Sequence, residues 1–549
     1  MWSMFPRGLA VAVLLVIGLP VEAGELIGEV IDSVTRKPIP ARVYVEDTAG
    51  KAWFVSSGAA NGSAIAYQEQ WVPMAGSVER HTTISADGFR AELPPGNYTV
   101  RIERGKEYLP LAAEVTVGEQ STRQTFPLVR WIDMVGRGWY SGETHVHRRL
   151  SELPNVMRAE QLNVAFPVTF WTIAADQPPD LKPSPLRSQG PSPFGPREDV
   201  GAMPLRLDDE CLIFPRNTEY EIFSVGGRPH TLGAMFLLNH RSVLSQTAPP
   251  VAAIARQARD EGALIDLDKH SWPWSMMLVA VAGVDLFELS NNSVWRTRFG
   301  FGQINQPLPP WATFETDGPE TLTEWGWLNY GFEVYYALLN CGFRLTPTAG
   351  TASGVHPVPL GYSRVYVKTG QPLDPDRWLR GLRDGNSFVT TGPMLMVQVD
   401  GQDAGQDRVF DAKSSPTVRV EIESVSASPI SAIEILVNGE VVRTLKPQPE
   451  RTPEGAWRVR ATESITIDET SWLAVRSIEP QPDGRRRFAH TAPWHFRLGD
   501  QPIRPRSEQV EYFIALMESE VQRNRPVLSP EGLAEFEQAL EVYRRLLPR

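Results

Sequence analysis

Two histidines two residues apart, His145 and His147, close the segment Trp139-Tyr140-Ser141-Gly142-Glu143-Thr144. Side chains alternate along an extended segment, so this pair points to one side. Two imidazoles on one side of a strand end can hold a single metal ion. Such a pair ties the fold to a buried strand end where other segments converge. The chain has nine histidines in 549 residues, and six of them (His145, His147, His230, His240, His270 and His356) lie between 145 and 356. The chemistry therefore belongs to the middle of the chain.

The length calls for about three or four domains. The net charge of −11 argues against nucleic acid or an anionic membrane surface as partner. At the start, Arg7 precedes an apolar run from Leu9 to Leu19, and Val21-Glu22-Ala23 ends in a small residue. This reads as an export signal over residues 1–23, with a run too short to span a bilayer. The expectation is an exported protein, periplasmic or extracellular, with no stable membrane insertion after cleavage. The two cysteines, Cys211 and Cys341, make neither a disulfide framework nor a zinc motif, and read as buried free thiols.

Residues 24–130 carry short strand patterns separated by turns such as Pro94-Pro95-Gly96-Asn97, which predicts a β-sandwich. Over residues 131–395 helical and strand patterns alternate. Val251 to Glu261 reads as a helix, Gly262 to Leu267 and Val284 to Leu289 as strands, and Phe332 to Asn340 as a helix stopped by Cys341-Gly342. Residues 177–200, rich in proline, serine and glycine, read as a surface loop over a site. Residues 396–498 read as a second sandwich, with Asn438-Gly439 as a hairpin turn. Residues 499–549 form a helical tail of two helices broken around Pro526 and Pro530.

In an α/β barrel, ligands gather at the carboxyl ends of strands. His145 and His147 close a strand. Glu219 and Glu221 share a face of another. His230 follows Gly226-Gly227-Arg228-Pro229, and its apolar stretch ends at Asn239-His240. His270 ends the strand carrying Asp266 and Asp268, just before Trp272-Pro273-Trp274, whose indoles are placed to wall a pocket. Glu143, Glu288 and Asn291 read as supporting or structural residues. His81, His490 and His495 fall in the flanking β regions.

The pieces Gly142-Glu143-Thr144-His145-Val146-His147, Glu221 nine residues before His230, His270, and the closing Gly385-Asn386-Ser387-Phe388-Val389-Thr390-Thr391-Gly392-Pro393 resemble the PHP superfamily of metal-dependent hydrolases, and within it the carbaryl-hydrolase type. Gly28-Glu29-Val30 and Leu93-Pro94-Pro95-Gly96-Asn97-Tyr98 resemble the carboxypeptidase regulatory-like domain, which implies a sandwich without catalysis of its own. The PHP resemblance implies a distorted (β/α)7 barrel; with the patterns on either side, the expectation is a multidomain α/β plus all-β protein, the barrel flanked by two β-sandwiches and the tail. The resemblance implies a divalent metal, zinc foremost with manganese or iron as alternatives, one or two ions. His145, His147, Glu221, His230 and His270 would be ligands, Glu219, His240 and Asp268 being further candidates. Catalysis would fall to His145, His147, Glu221 and His270, acting with water that the metal acidifies to a pKa of about 7. The chain departs from the superfamily in two places. Ala352 stands where an aspartate ligand is usual, with His356 nearby, and residues 170–176 contain no histidine. These departures point to one well-held metal.

The function expected is an exported metal-dependent hydrolase acting on an ester, amide, carbamate or phosphoester, its substrate a small molecule or a glycan-linked one. The alternative is a glycan- or surface-binding protein on a barrel that has lost catalysis.

Overall fold

The structure, a computed structural model, describes residues 24–71, 73–180 and 200–547. The expected leader, and residues 181–199 of the expected loop over the site, lie outside the described residues.

Alternation builds the first layer. In Phe89–Leu93, Phe89, Ala91 and Leu93 are buried while Arg90 and Glu92 face out. Two sheets formed this way pack face to face. One orders its strands Thr122–Leu128, Gly24–Asp32, Phe89–Leu93 and Ser56–Ser57. The other orders Ala64–Gln70, Val78–Ile84, Ala41–Asp47, Gly96–Glu103 and Leu111–Val117. Leu26, Val43, Phe89, Val100 and Phe126 fill the space between them.

The middle of the chain holds a six-stranded sheet in the order Phe170–Ala174, Asn217–Val225, Arg228–Leu238, Leu264–Leu267, Leu286–Ser290 and Thr346–Ala349. It is not a uniform strand–helix alternation. Gly226 and Gly227 both adopt positive φ and turn the chain directly back, so Arg228–Leu238 runs antiparallel to both its neighbours. The strand Trp139–Val146 pairs in parallel with Val164–Pro167. Its far end meets the segment after Thr346–Ala349: Ala352 N donates to His145 O at 2.9 Å, and His147 N donates to Ser353 O at 2.9 Å. This places both histidines beside the ends of the six-stranded sheet.

The helix read as Phe332 to Asn340 runs Glu324–Asn340, capped by Thr323, whose Oγ1 accepts from Gly326 N at 3.0 Å. Gly326 and Gly331 weaken helical propensity over its first half and hide it in the sequence. The sheet containing Trp139–Val146 continues through Arg364–Lys368 and Ser387–Thr390 into Arg486–Thr491 and Ser471–Pro480. One sheet thus crosses from the α/β region into the second sandwich. There Asn438-Gly439 joins Ala432–Val437 to Glu440–Leu445 as a two-residue hairpin. Cys211 and Cys341 are buried free thiols. No helix among the described residues is long and apolar enough to cross a membrane.

The tail helices, Ser507–Asn524 and Pro530–Arg545, fold back onto the α/β region. The buried carboxylate of Glu535 accepts from Val251 N at 2.8 Å and Ala252 N at 2.7 Å, satisfying donors that the start of helix Ala252–Asp260 leaves open. Tyr543 OH donates to Met276 O at 2.8 Å.

Replacing Glu535 by alanine should lower unfolding stability by about 1–3 kcal/mol in urea titration, because two buried N–H groups lose a charged acceptor. Acid should also destabilise the fold. His240 accepts at Nε2 from Thr218 and donates Nδ1–H to the Ser242 carbonyl; His490 does the same with Tyr336 and the Thr491 carbonyl. Burial holds His240 down to about 4 and His490 to about 3. Both are depressed, so the unfolded chain binds more protons, and the stability present above about 6.5 is lost as pH falls through 4 towards 3. The urea midpoint should drop steadily between pH 7 and 4.5, and His240→Asn should flatten part of that slope.

Candidate metal centre

His145 and His147 face the same side, as period-two alternation requires, and their Nε2 atoms lie 3.2 Å apart. Glu219 Oε2 lies 3.4 Å from His147 Nε2. These two spacings match the edge of a tetrahedron: two donors each about 2.0–2.1 Å from one zinc sit about 3.3–3.4 Å apart. On its other side, His145 Nδ1 faces Glu288 Oε1 at 3.2 Å and Asp268 Oδ1 at 3.5 Å. The donors thus form two groups, His145–His147–Glu219 and His145–Asp268–Glu288, with ligand atoms within 4.8 Å of one another in each.

The register brings these residues together. Asp266 and Leu267 pair with Leu286 and Phe287, so Asp268 and Glu288 come side by side at the strand ends. Glu219 lies between Trp171 and Phe236 on the adjoining strands, and Phe236 packs 4.5 Å from the His145 ring. Gly350 makes room for the cluster, because a Cβ there would lie 2.2 Å from the His145 Cβ and 2.7 Å from Glu288 Oε1.

The site is almost dry: Asp268 is fully buried, Glu219 is 1% exposed and Glu288 2%. Burial holds His145 down to about 3 and His147 well below its usual value, so both rings are neutral and can offer lone pairs. Burial pushes Glu219 and Glu288 well above the usual carboxylate range, and neighbouring carboxylates add to the effect. Burial likewise raises Asp266 to about 7, although Thr348 Oγ1 donates to it at 2.9 Å. For Asp268, burial pulls upward, but Lys269 and His145 outweigh it and hold the group low. Among the described residues, Glu219 Oε2, Asp268 Oδ1 and Glu288 Oε1 accept no hydrogen bond. Three buried carboxylate oxygens turned towards neutral imidazoles are costly by themselves and fit a divalent cation.

A cleft of about 640 Å³ opens onto the cluster, lined by His145, His147, Glu219, Glu221, Lys269 and Asn292 and by aromatic rings. Trp71 reaches in from the N-terminal sandwich, stacking on Phe301 at 5.7 Å and lying 4.0 Å from the His356 ring. Tyr67, on the strand Ala64–Gln70 that ends just before Trp71, donates to the His356 carbonyl at 2.5 Å and accepts from Gly354 N at 3.1 Å.

The other residues expected at the site fall in different places. Glu221 lines the cleft but belongs to neither donor group; Glu219, two residues earlier on the same face, stands beside His147. His270 is in neither group: its ring packs 4.4 Å from Tyr330 and 4.8 Å from Trp327, with Gly331 leaving the space. His230 lies near the hairpin turn, where Nε2 is 2.7 Å from Asn524 Oδ1 of the tail. His240 is a satisfied core histidine between Thr218 and Ser242. Trp272 lines the cleft and donates to Asp268 Oδ2 at 3.0 Å, whereas Trp274 is fully buried in the core. Ala352 lines the cleft with φ of 48°, and His356 is part of its aromatic wall. Glu288 joins the cluster although its sequence signal was that of a supporting residue. Glu143 is structural, accepting from Thr351 N at 2.8 Å and from Gly361 N.

No family model matches the chain, and no curated protein matches it. Among solved structures, the chain is similar to a two-domain protein from Bacteroides vulgatus containing a predicted PHP-like metal-dependent phosphoesterase. The identity is 11%, over 65% of this chain and 94% of that one, with a TM-score of 0.29. A likeness of that size assigns neither fold nor activity to this chain.

Gly350→Ala should weaken zinc binding about 10–100-fold, measured by calorimetric titration of metal-free protein, while far-ultraviolet circular dichroism stays unchanged.

Proposed function

We propose that the chain is a metal-dependent hydrolase of the PHP type, its ion held by His145, His147 and Glu219. The observation that carries this reading is that His147 Nε2 stands at tetrahedral-edge distance from both His145 Nε2 and Glu219 Oε2, the latter an orphaned carboxylate oxygen, where the cleft meets the cluster. A distorted barrel is supported by the contact of Trp139–Val146 with Val164–Pro167 on one side and with Ala352 and Ser353 on the other. Two nitrogens and one oxygen suit zinc, with manganese or iron as alternatives. Export rests on the N-terminal residues alone.

A divalent ion held by His145, His147 and Glu219 would supply an acidified water and polarise a carbonyl or phosphoryl oxygen. The rest falls to the chain. Glu288 takes the Nδ1–H of His145 at Oε2, 3.3 Å away, with Asp268 Oδ1 beside it at 3.5 Å, which fixes the tautomer that would present Nε2 to an ion. Trp272 and Lys269 hold Asp268 in place through its other oxygen. Glu221 presents its carboxylate to the cleft without joining the ligands, the place for a proton acceptor. Asn292 lines the same cleft and offers an amide to a substrate oxygen. Trp71, Trp171, Trp272 and Phe301 suit the body of a small or medium-sized ester, amide, carbamate or phosphoester, free or glycan-linked.

Purified protein should contain zinc, manganese or iron by elemental analysis and hydrolyse 4-nitrophenyl acetate or bis(4-nitrophenyl) phosphate. His145→Ala with His147→Ala should remove both metal and turnover while the protein stays folded. A protein without metal, or a double variant as active as the parent, leaves the binding-protein reading, which Ala352 favours by standing where the superfamily has a carboxylate ligand. The two glutamates should separate: Glu219→Gln loses metal, whereas Glu221→Gln keeps it and loses about 10²-fold or more in kcat.

A further inference from the structure

Among the described residues, the cluster contains one cation, the ammonium of Lys269. Lys269 is 6% exposed, and its Nζ lies 2.5 Å from Asp268 Oδ2, the oxygen that also accepts from Trp272 Nε1. Its charge acts on Glu288 and Glu221 as well. Asp268 is thereby split: Oδ2 is committed to the ammonium and the indole, while Oδ1 faces His145 without a hydrogen bond. Glu288 Oε1 faces the same ring in the same way.

His145, Asp268 and Glu288 have the spacing of a second ion site, yet two observations oppose a second ion. His145 gives Nε2 to the first group and its Nδ1–H to the carboxylate side, so a second ion would have to rest on Asp268 and Glu288. An ammonium also already occupies the carboxylate side, and a second divalent ion would crowd it within the same low-dielectric space. An ammonium supplies charge but no open coordination position, so it balances the carboxylates without adding a reactive centre.

We propose that Lys269 takes the place of a second metal ion, so that the centre holds one divalent ion, while Asp268 and Glu288 position His145. This rests on reading His145, His147 and Glu219 as an ion site. The test is metal stoichiometry: metal-free protein is loaded with excess zinc, desalted and analysed for zinc per chain. The parent should retain one ion. Lys269→Met, which fills the volume without charge, should retain two, and adding Glu288→Gln should return it to one. Lys269→Gln serves the same purpose if the methionine variant does not fold, and Lys269→Arg, which keeps the charge, should stay at one. A parent that retains no zinc overturns the ion-site reading and this inference together. A parent that retains two ions, or neutral variants that stay at one, overturn this inference alone, because a merely structural lysine would leave the stoichiometry unchanged.

Discussion

The centre depends on a single buried imidazole used on both edges. His145 has Nε2 turned to His147 and Nδ1 turned to Glu288 and Asp268. A neutral ring has one proton, so its two edges cannot do the same work: one donates and the other accepts. The carboxylate edge takes the proton, and the free lone pair then points at His147 and Glu219. Every neighbour of the ring serves that orientation. Phe236 flanks it, the absent side chain at Gly350 admits it, and the backbone of Ala352 holds its carbonyl.

The burial that makes the ring useful also makes the carboxylates expensive. Isolated acidic groups in so dry a space would take up protons or pull in water. The chain meets part of this cost with Lys269 and part with hydroxyl donors such as Thr348 on Asp266. What remains uncompensated is concentrated on three oxygens, Glu219 Oε2, Asp268 Oδ1 and Glu288 Oε1, all aimed at the same two rings.

Local periodicity was enough to read some of this in the sequence. His145 and His147 had to share a side, Ala252–Asp260 had helical spacing, and Asn438-Gly439 had to turn. Glu219 and Glu221 carry the same local signal, and only strand pairing decides which meets His147. The approach of Glu288 to His145 spans 143 residues and follows from register between strands, to which a single sequence gives no local clue. His230, His240 and His270 show the converse. A histidine at a strand end looks the same whether it meets an ion, a tail asparagine, a threonine or a pair of aromatic rings.

Trp71, just past the sandwich strand Ala64–Gln70, forms part of the cleft wall, and Tyr67 on that strand braces the loop that carries Ala352. The region that holds the donors and the region that shapes the entrance are therefore separate stretches of chain. Sequence drift in the strand Ala64–Gln70 and at Trp71 after it can remodel what fits inside while the donors keep their register. An isolated middle segment would keep its polar floor but lose one side of its enclosure, so the sandwich is a component of the cleft and not a detachable appendage.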